Sequence, residues 1–141
     1  MDVLLDTNVV LNFITGREDP FRVSSEKIMD HAVEGHFHGF VAIHSLSTMW
    51  YILRKQKGED ETRLLLGEIC DILTVAVISH ENVKRALQNK SFHDFEDCLQ
   101  DECACSVNAD YLVTCNVKDF VSAKTRIVSP TEFLSILKSS D

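Results

Sequence analysis

An aspartate, Asp6, interrupts an apolar run at the beginning of the chain. The apolar residues 3–5 before it predict a short strand that is buried on both faces, and a turn at residues 7–8 leads into a largely apolar helix pattern over residues 9–14. Asp6 therefore falls at the carboxyl end of a buried strand, where open α/β sheets bind their ligands. The alternative from this segment alone is that Asp6 only caps the helix that follows.

The rest of the chain alternates between predicted strands and predicted helices, as α/β proteins do. Strands are predicted at residues 3–5, 38–43, 74–78, 111–114 and 126–129. Helices are predicted at residues 9–14, 24–33, 47–54, 60–73, 81–88, 94–107 and 131–137. This order indicates βαβ units and a parallel sheet with helices on both faces, in a single domain over residues 1–141.

Serine and leucine positions give the finer predictions about these helices. Ser24 or Ser25, then Ser45 or Ser47, and then Ser79 are expected to cap the second, third and fifth helices. The fourth helix is expected to turn these leucine and isoleucine side chains inward: Leu64, Leu65, Ile69 and Leu73.

Composition limits the classes of function. The chain has 14 basic and 22 acidic residues and a formal charge of −8, which argues against a protein that binds nucleic acid only by neutralising phosphates. No apolar segment is long enough to span a membrane, so we expect a cytoplasmic protein with no membrane partner. The five cysteines and six histidines lack zinc-type spacing, so we expect reduced thiols and histidines of the surface or core.

Acidic residues recur where predicted strands end or helices begin: Asp6, the segment 94–97 and Asp119. In a parallel sheet such positions collect at one edge, so these carboxylates are expected to converge. Two carboxylates about 4 Å apart repel by roughly 4 kcal/mol at an effective dielectric near 20. Mg²⁺ or Mn²⁺ would offset this repulsion, because both ions prefer carboxylate and water oxygens. The alternatives are that Asp94 caps a helix with Asp97 in its first turn, and that Asp119 is a surface acid.

Three segments, taken in order, resemble the PIN domain family and in particular the small bacterial and archaeal PIN proteins related to VapC-type toxins. They are LLDTNVVLNFI, DFEDCLQ and NADYLVTCNVKDF. The resemblance implies a three-layer α/β/α sandwich around a parallel sheet and Mg²⁺- or Mn²⁺-dependent cleavage of RNA. By motif it implies that Asp6, Asp97 and Asp119 are catalytic and bind metal, with Asp94 as an additional ligand.

The resemblance also implies supporting residues, which are Asn8, Thr48, Thr114 and Asn116. Among these, Thr48 marks a departure from the family, because the family has a glutamate in the helix after its second strand. The matching segment, AIHSLSTMWYILRK, has no carboxylate, and Thr48 occupies the position. A hydroxyl can orient a water molecule but adds no negative charge, so we expect weaker metal binding.

These observations lead to two functional hypotheses. The first is a metal-dependent endoribonuclease, the toxin of a toxin–antitoxin pair, with an RNA substrate, a small antitoxin and a second copy of the chain as candidate partners. The second is a PIN-like binding or regulatory module that has lost catalysis, because Thr48 replaces the usual acid. A phosphatase with an aspartate nucleophile fits less well, since Asn8 stands where that chemistry needs a second aspartate.

Overall fold

The computed structural model describes residues 1–140, which are built around a five-stranded sheet in which every neighbouring pair of strands is parallel. The strands run in the order β3-β2-β1-β4-β5, so the first strand of the chain lies in the middle. Their bounds are β1 Asp2–Leu5, β2 His38–Ala42, β3 Thr74–Ala76, β4 Tyr111–Val113 and β5 Ile127–Val128. Five predicted strands are therefore confirmed.

Seven α-helices cover the two faces of the sheet within residues 1–140. They are α1 Thr7–Thr15, α2 Arg22–Val33, α3 Ile43–Lys57, α4 Glu59–Ile72, α5 His80–Gln88, α6 Phe95–Ser106 and α7 Pro130–Ser139, and a 3-10 helix spans Val117–Phe120. One core joins the sheet to α1, α2, α3, α4 and α7, and a second core joins its other face to α5, α6 and the 3-10 helix. The predicted three-layer α/β/α sandwich is thus confirmed. In this part of the chain, no helix combines the length and apolar character that crossing a bilayer requires.

The register of the central strands determines which residues meet at the carboxyl edge of the sheet. Leu5, the last residue of β1, is paired with Val41 of β2 and with Val113 of β4. The next residue, Asp6, donates its backbone N–H to the carbonyl of Val113 over 2.9 Å. Asp6 and Thr114 consequently leave their strands side by side, although they are far apart in sequence.

Helix caps agree with the sequence prediction at Ser79 but not at the earlier serines. Ser79 forms a capping box with Asn82. By contrast, α2 begins at Arg22 and α3 at Ile43, with Phe21 and Ala42 as their N-cap residues. The serine predictions for α2 and α3 were therefore wrong, because these helices begin earlier than the serines and β2 runs into α3 without an intervening loop.

The predicted inward face of α4 was wrong at Leu64, although Ile69 and Leu73 are buried as predicted. Leu64 of α4 is 70% exposed, whereas Thr62 is fully buried and donates its hydroxyl to the carbonyl of Gly58 over 2.7 Å. The helix therefore buries the stripe that contains Thr62 and Ile69, which leaves Leu64 on the opposite side.

Candidate active site

Asp6 is both a helix cap and a buried acid at the carboxyl edge of the sheet. It is only 6% exposed, and its Oδ1 accepts the backbone N–H of Thr7 over 2.8 Å. Its Oδ2 accepts the hydroxyl of Thr114 over 2.8 Å and the side-chain amide of Asn8 over 3.3 Å. Burial raises the pKa of Asp6 and the charge of Glu96 adds to this effect, while the three hydrogen bonds oppose it. Asp6 therefore caps α1 and also lies at the carboxyl edge of the sheet, so the helix cap does not exclude a role in binding a ligand.

The segment after β4 is connected to Asp6 by a chain of hydrogen bonds. The Thr114 hydroxyl that donates to Asp6 also accepts the backbone N–H of Asn116 over 3.1 Å. The side-chain oxygen of Asn8 accepts the backbone N–H of Cys115 over 3.3 Å. Thr114, which the family resemblance associates with Asp119, thus contacts Asp6 directly.

The first turn of α6 separates the roles of its two aspartates. Asp94 is the N-cap residue, and its Oδ1 accepts the backbone N–H groups of Glu96 over 2.7 Å and Asp97 over 3.3 Å. Asp94 is exposed, whereas Asp97 is half-buried. Because Asp94 supplies the cap, the carboxylate of Asp97 is not needed for that purpose.

The charges that act on Asp97 come from the acidic residues that the sequence singled out. Burial, followed by the negative charges of Asp6, Asp94, Asp119 and Glu96, raises the pKa of Asp97 to about 7. Asp119 is an exposed residue of the 3-10 helix, yet it is close enough for its charge to contribute. The structure therefore brings the four predicted aspartates into one electrostatic cluster.

A cavity of about 250 Å³ lies at this cluster. Its lining residues are Asp6, Thr7, Asn8, Leu11, Arg17, Thr48, Glu96, Asp97, Gln100 and Asn116. Thr48 lines this cavity, and its hydroxyl donates to the carbonyl of His44 one turn earlier over 3.2 Å. Asp94 and Asp119 are not among the lining residues and act on the cavity through their charges.

Five lining residues were not among the predicted site residues: Thr7, Leu11, Arg17, Glu96 and Gln100. Arg17 is held beside the site by bonds from its guanidinium to the Asn12 side-chain oxygen over 2.7 Å and to the carbonyl of Asn8 over 3.5 Å. Glu96 could have been found, because it belongs to the same acidic segment as Asp97. Gln100 lies one helical turn after Asp97 and so shares its face, whereas no spacing pattern indicates Arg17.

Gln100 connects the cavity to a buried polar network. Its side chain is 2% exposed, and its Nε2 donates to the hydroxyl oxygens of Ser45 over 2.7 Å and Thr7 over 3.3 Å. Nε2 also lies 3.1 Å from Nε2 of His44. Within the described residues, Oε1 of Gln100 has no hydrogen-bond partner. A buried acceptor without a partner beside a polar cavity indicates a place for a water molecule or a ligand.

Comparisons with known proteins identify the family of this chain. The family model described as "PIN domain" matches residues 2–118. No curated protein matches the chain in sequence.

Solved structures share the fold at low sequence identity. VapBC2 from Rickettsia felis, bound to a DNA fragment from its promoter, is 19% identical, with a TM-score of 0.68 over 92% of this chain and 98% of that one. VapBC-1 from nontypeable Haemophilus influenzae is 18% identical, with a TM-score of 0.68 over 93% and 99% of the two chains. VapC20 from Mycobacterium tuberculosis, a sarcin-ricin loop cleaving toxin, is 11% identical, with a TM-score of 0.61 over 78% and 86%. Because the family model matches most of the length of this chain, the chain belongs to the PIN domain family.

Proposed function

We propose that this PIN domain is a ribonuclease that hydrolyses RNA phosphodiesters with the help of Mg²⁺ or Mn²⁺. The observation that supports it most is that Asp6 and Asp97 line one cavity, where the charges of Asp94, Glu96 and Asp119 also act on Asp97. So much negative charge beside one cavity is costly unless a cation joins it. The proposed metal ligands are Asp6, Asp97 and Asp119, with Asp94 or Glu96 contributing charge.

The donor atoms at the site fit a hard cation. Carboxylate and amide oxygens line the cavity at Asp6, Asp97 and Asn116, which suits Mg²⁺ or Mn²⁺ better than zinc or copper. The nearby Cys115 does not offer a thiolate, because burial raises its pKa to about 12. A bound Mg²⁺ or Mn²⁺ would activate a water molecule and neutralise charge on the phosphodiester.

The residues of the chain contribute orientation and charge to this reaction. Hydrogen bonds from Thr7, Asn8 and Thr114 fix both oxygens of Asp6. Arg17 offers a positive charge at the cavity, where a phosphate of the RNA can accept from it. Glu96 supplies a negative charge to the cavity, which the hydroxyl of Thr48 cannot do. The site can therefore attract a cation even though the family glutamate is replaced by Thr48.

We also infer that the chain is the toxin of a toxin–antitoxin pair that acts in the cytoplasm, where its RNA substrate is found. This inference is supported by the shared fold with VapC20, which is described as a sarcin-ricin loop cleaving toxin, and with the VapBC complexes. A small antitoxin is therefore the proposed protein partner. Purification of the chain with the product of a neighbouring reading frame tests this part of the proposal.

A metal titration tests the site itself. Millimolar Mn²⁺ or Mg²⁺ should raise the melting temperature of the wild type, and a concentration 100-fold above Kd should add about 2.7 kcal/mol to the free energy of unfolding. Asp6→Asn should abolish this response while it keeps the cap, because asparagine caps helices as well as aspartate does. A wild type that neither gains stability with metal nor cleaves single-stranded RNA would contradict the proposal.

Thr48 favours the second candidate function, a PIN-like module that binds RNA or a protein without cleaving it. The cavity contains a hydroxyl where the family has a carboxylate, and this hydroxyl is already bonded to its own helix. A wild type that binds metal but leaves RNA intact under the same conditions would support this module. Cleavage that Asp6→Asn removes would support the enzyme.

A further inference from the structure

A second group of potential metal ligands lies at the end of α2, away from the aspartates. Nδ1 of His31 and Nδ1 of His36 are 2.7 Å apart, with ring centroids 5.0 Å apart and planes tilted by 49°. Nε2 of His36 lies 3.4 Å from Oε2 of Glu34. One donor atom from each of the three side chains lies within 4.8 Å of the other two.

The backbone at this turn holds the two rings together. Gly35 adopts a left-handed conformation with φ of 78°, which reverses the chain directly after α2. This reversal lets the backbone N–H of His36 donate to the carbonyl of His31 over 3.0 Å. The backbone turn at the end of α2 therefore places the two rings next to each other.

The group is at the opposite edge of the sheet from Asp6. His38, two residues after His36, begins β2 and is paired with Asp2 at the start of β1. A cavity of about 130 Å³ lies beside the rings, between the end of α2 and the end of α7 at Leu137. A ligand bound here would not touch the aspartate cluster.

We propose that His31, Glu34 and His36 bind a divalent transition-metal ion of the Zn²⁺ class. Two imidazoles and one carboxylate are a ligand set that zinc, nickel and copper accept, whereas Mg²⁺ prefers oxygen alone. Water would complete the coordination, because the three side chains are at least partly exposed. The site is separate from the proposed nuclease centre in position and in ligand chemistry.

Metal binding replaces the contact between the rings. Without metal, one neutral ring donates its Nδ1–H to the other Nδ1. When the ion binds, the donor ring changes tautomer, so that its proton moves through solvent from Nδ1 to Nε2 and leaves the Nδ1 lone pair for the metal. Tetrahedral nitrogen ligands of zinc are about 3.3 Å apart, so the rings must separate by roughly half an ångström. Exposed side chains can make this movement, and the charge of Glu34 partly neutralises the ion.

The test is a Zn²⁺ titration by calorimetry of the full chain without a polyhistidine tag, carrying Asp6→Asn and Asp97→Asn to weaken the other site. We expect one saturable site, and His31→Gln with His36→Gln should lower its affinity at least tenfold. The matched control is His80→Gln with His93→Gln, two exposed histidines elsewhere, which should leave the affinity unchanged. Co²⁺ should bind with the same stoichiometry and give visible absorption bands that only the first pair of substitutions removes.

Two results would overturn this proposal. One is the absence of saturable Zn²⁺ binding, and the other is binding that survives the loss of His31 and His36, which would assign the ion to cysteines or carboxylates. Glu34→Gln provides a milder variant that leaves both rings in place, and it should weaken binding without changing stability in EDTA. These outcomes do not affect the nuclease proposal, which the Mn²⁺ titration tests separately.

Discussion

Replacing Asp97 by asparagine should stabilise the metal-free protein at alkaline pH. The pKa of Asp97 is raised from its usual 3.8 to about 7, first by burial and then by the surrounding carboxylates. A shift of about three pH units corresponds to roughly 4 kcal/mol for a group removed from water. Because Asp97 is only half-buried, solvent screening reduces the expected gain to about 1–2 kcal/mol.

The gain should depend on pH in a defined direction. Between pH 3.8 and about 7 the folded wild type keeps a proton on Asp97 that the unfolded chain has lost. The contribution of Asp97 to stability is therefore full below pH 3.8 and is lost as the pH rises through about 7. Asparagine has no such dependence, so the advantage of the variant should grow from near zero at acidic pH to its full size above the folded pKa.

Urea denaturation in EDTA at about pH 4.5 and about pH 8.5 measures this difference. The matched control is Asp71→Asn, an exposed acid on α4, which should change stability little at either pH. If Asp97 instead stabilised α6 mainly through its negative charge in the first turn, its replacement would lower stability by about 0.3–1 kcal/mol at alkaline pH. A clear loss of stability at alkaline pH, or an equal gain at both pH values, would refute the electrostatic reasoning.

Three further substitutions test other parts of the structure. Thr48→Glu should tighten Mn²⁺ binding about tenfold in calorimetry and lower stability in EDTA, whereas the control Thr48→Gln should do neither. Equal Mn²⁺ affinities of the two variants would contradict the position of Thr48 at the metal site. Asp101→Ala removes the acceptor of the backbone N–H groups of residues 124–125, at 2.9 and 3.1 Å, and should cost about 1–3 kcal/mol in urea denaturation. Gly39→Ala would place a Cβ atom 2.5 Å from Cδ2 of Leu73 and should lower the melting temperature, with a loss of about 1–3 kcal/mol.

The main elements of the fold were predictable because their signals are local. The apolar residues before Asp6 form β1, and alternation of strands with helices is enough to indicate a parallel sheet. Helix starts were less predictable, since a serine in the sequence does not reveal whether the helix has already begun. Ser45 is the clearest case, because it is fully buried and accepts from Gln100 inside α3.

The site was predictable only in part, because motif spacing identifies acids but not their partners. Asp6 and Asp97 follow from the position of acids at strand ends and helix starts. The hydrogen bond from Thr114 to Asp6 depends on the register between β1 and β4. A single sequence does not show this register. Arg17 reaches the cavity through a glycine turn after α1, and no local pattern predicts this approach.

The position of β1 in the middle of the sheet affects how the chain folds during translation. The hydrogen bond from Thr114 to Asp6 joins residues 108 positions apart, and β1 has no neighbour on that side until β4 has been made. At ribosomal rates of about 5–20 residues per second, synthesis of the residues between β1 and β4 takes roughly 5–20 s, and this edge of β1 stays unpaired for that time. A nascent chain therefore completes the surroundings of Asp6 only after β4 has been synthesised and has paired with β1, which would delay any nuclease activity until then.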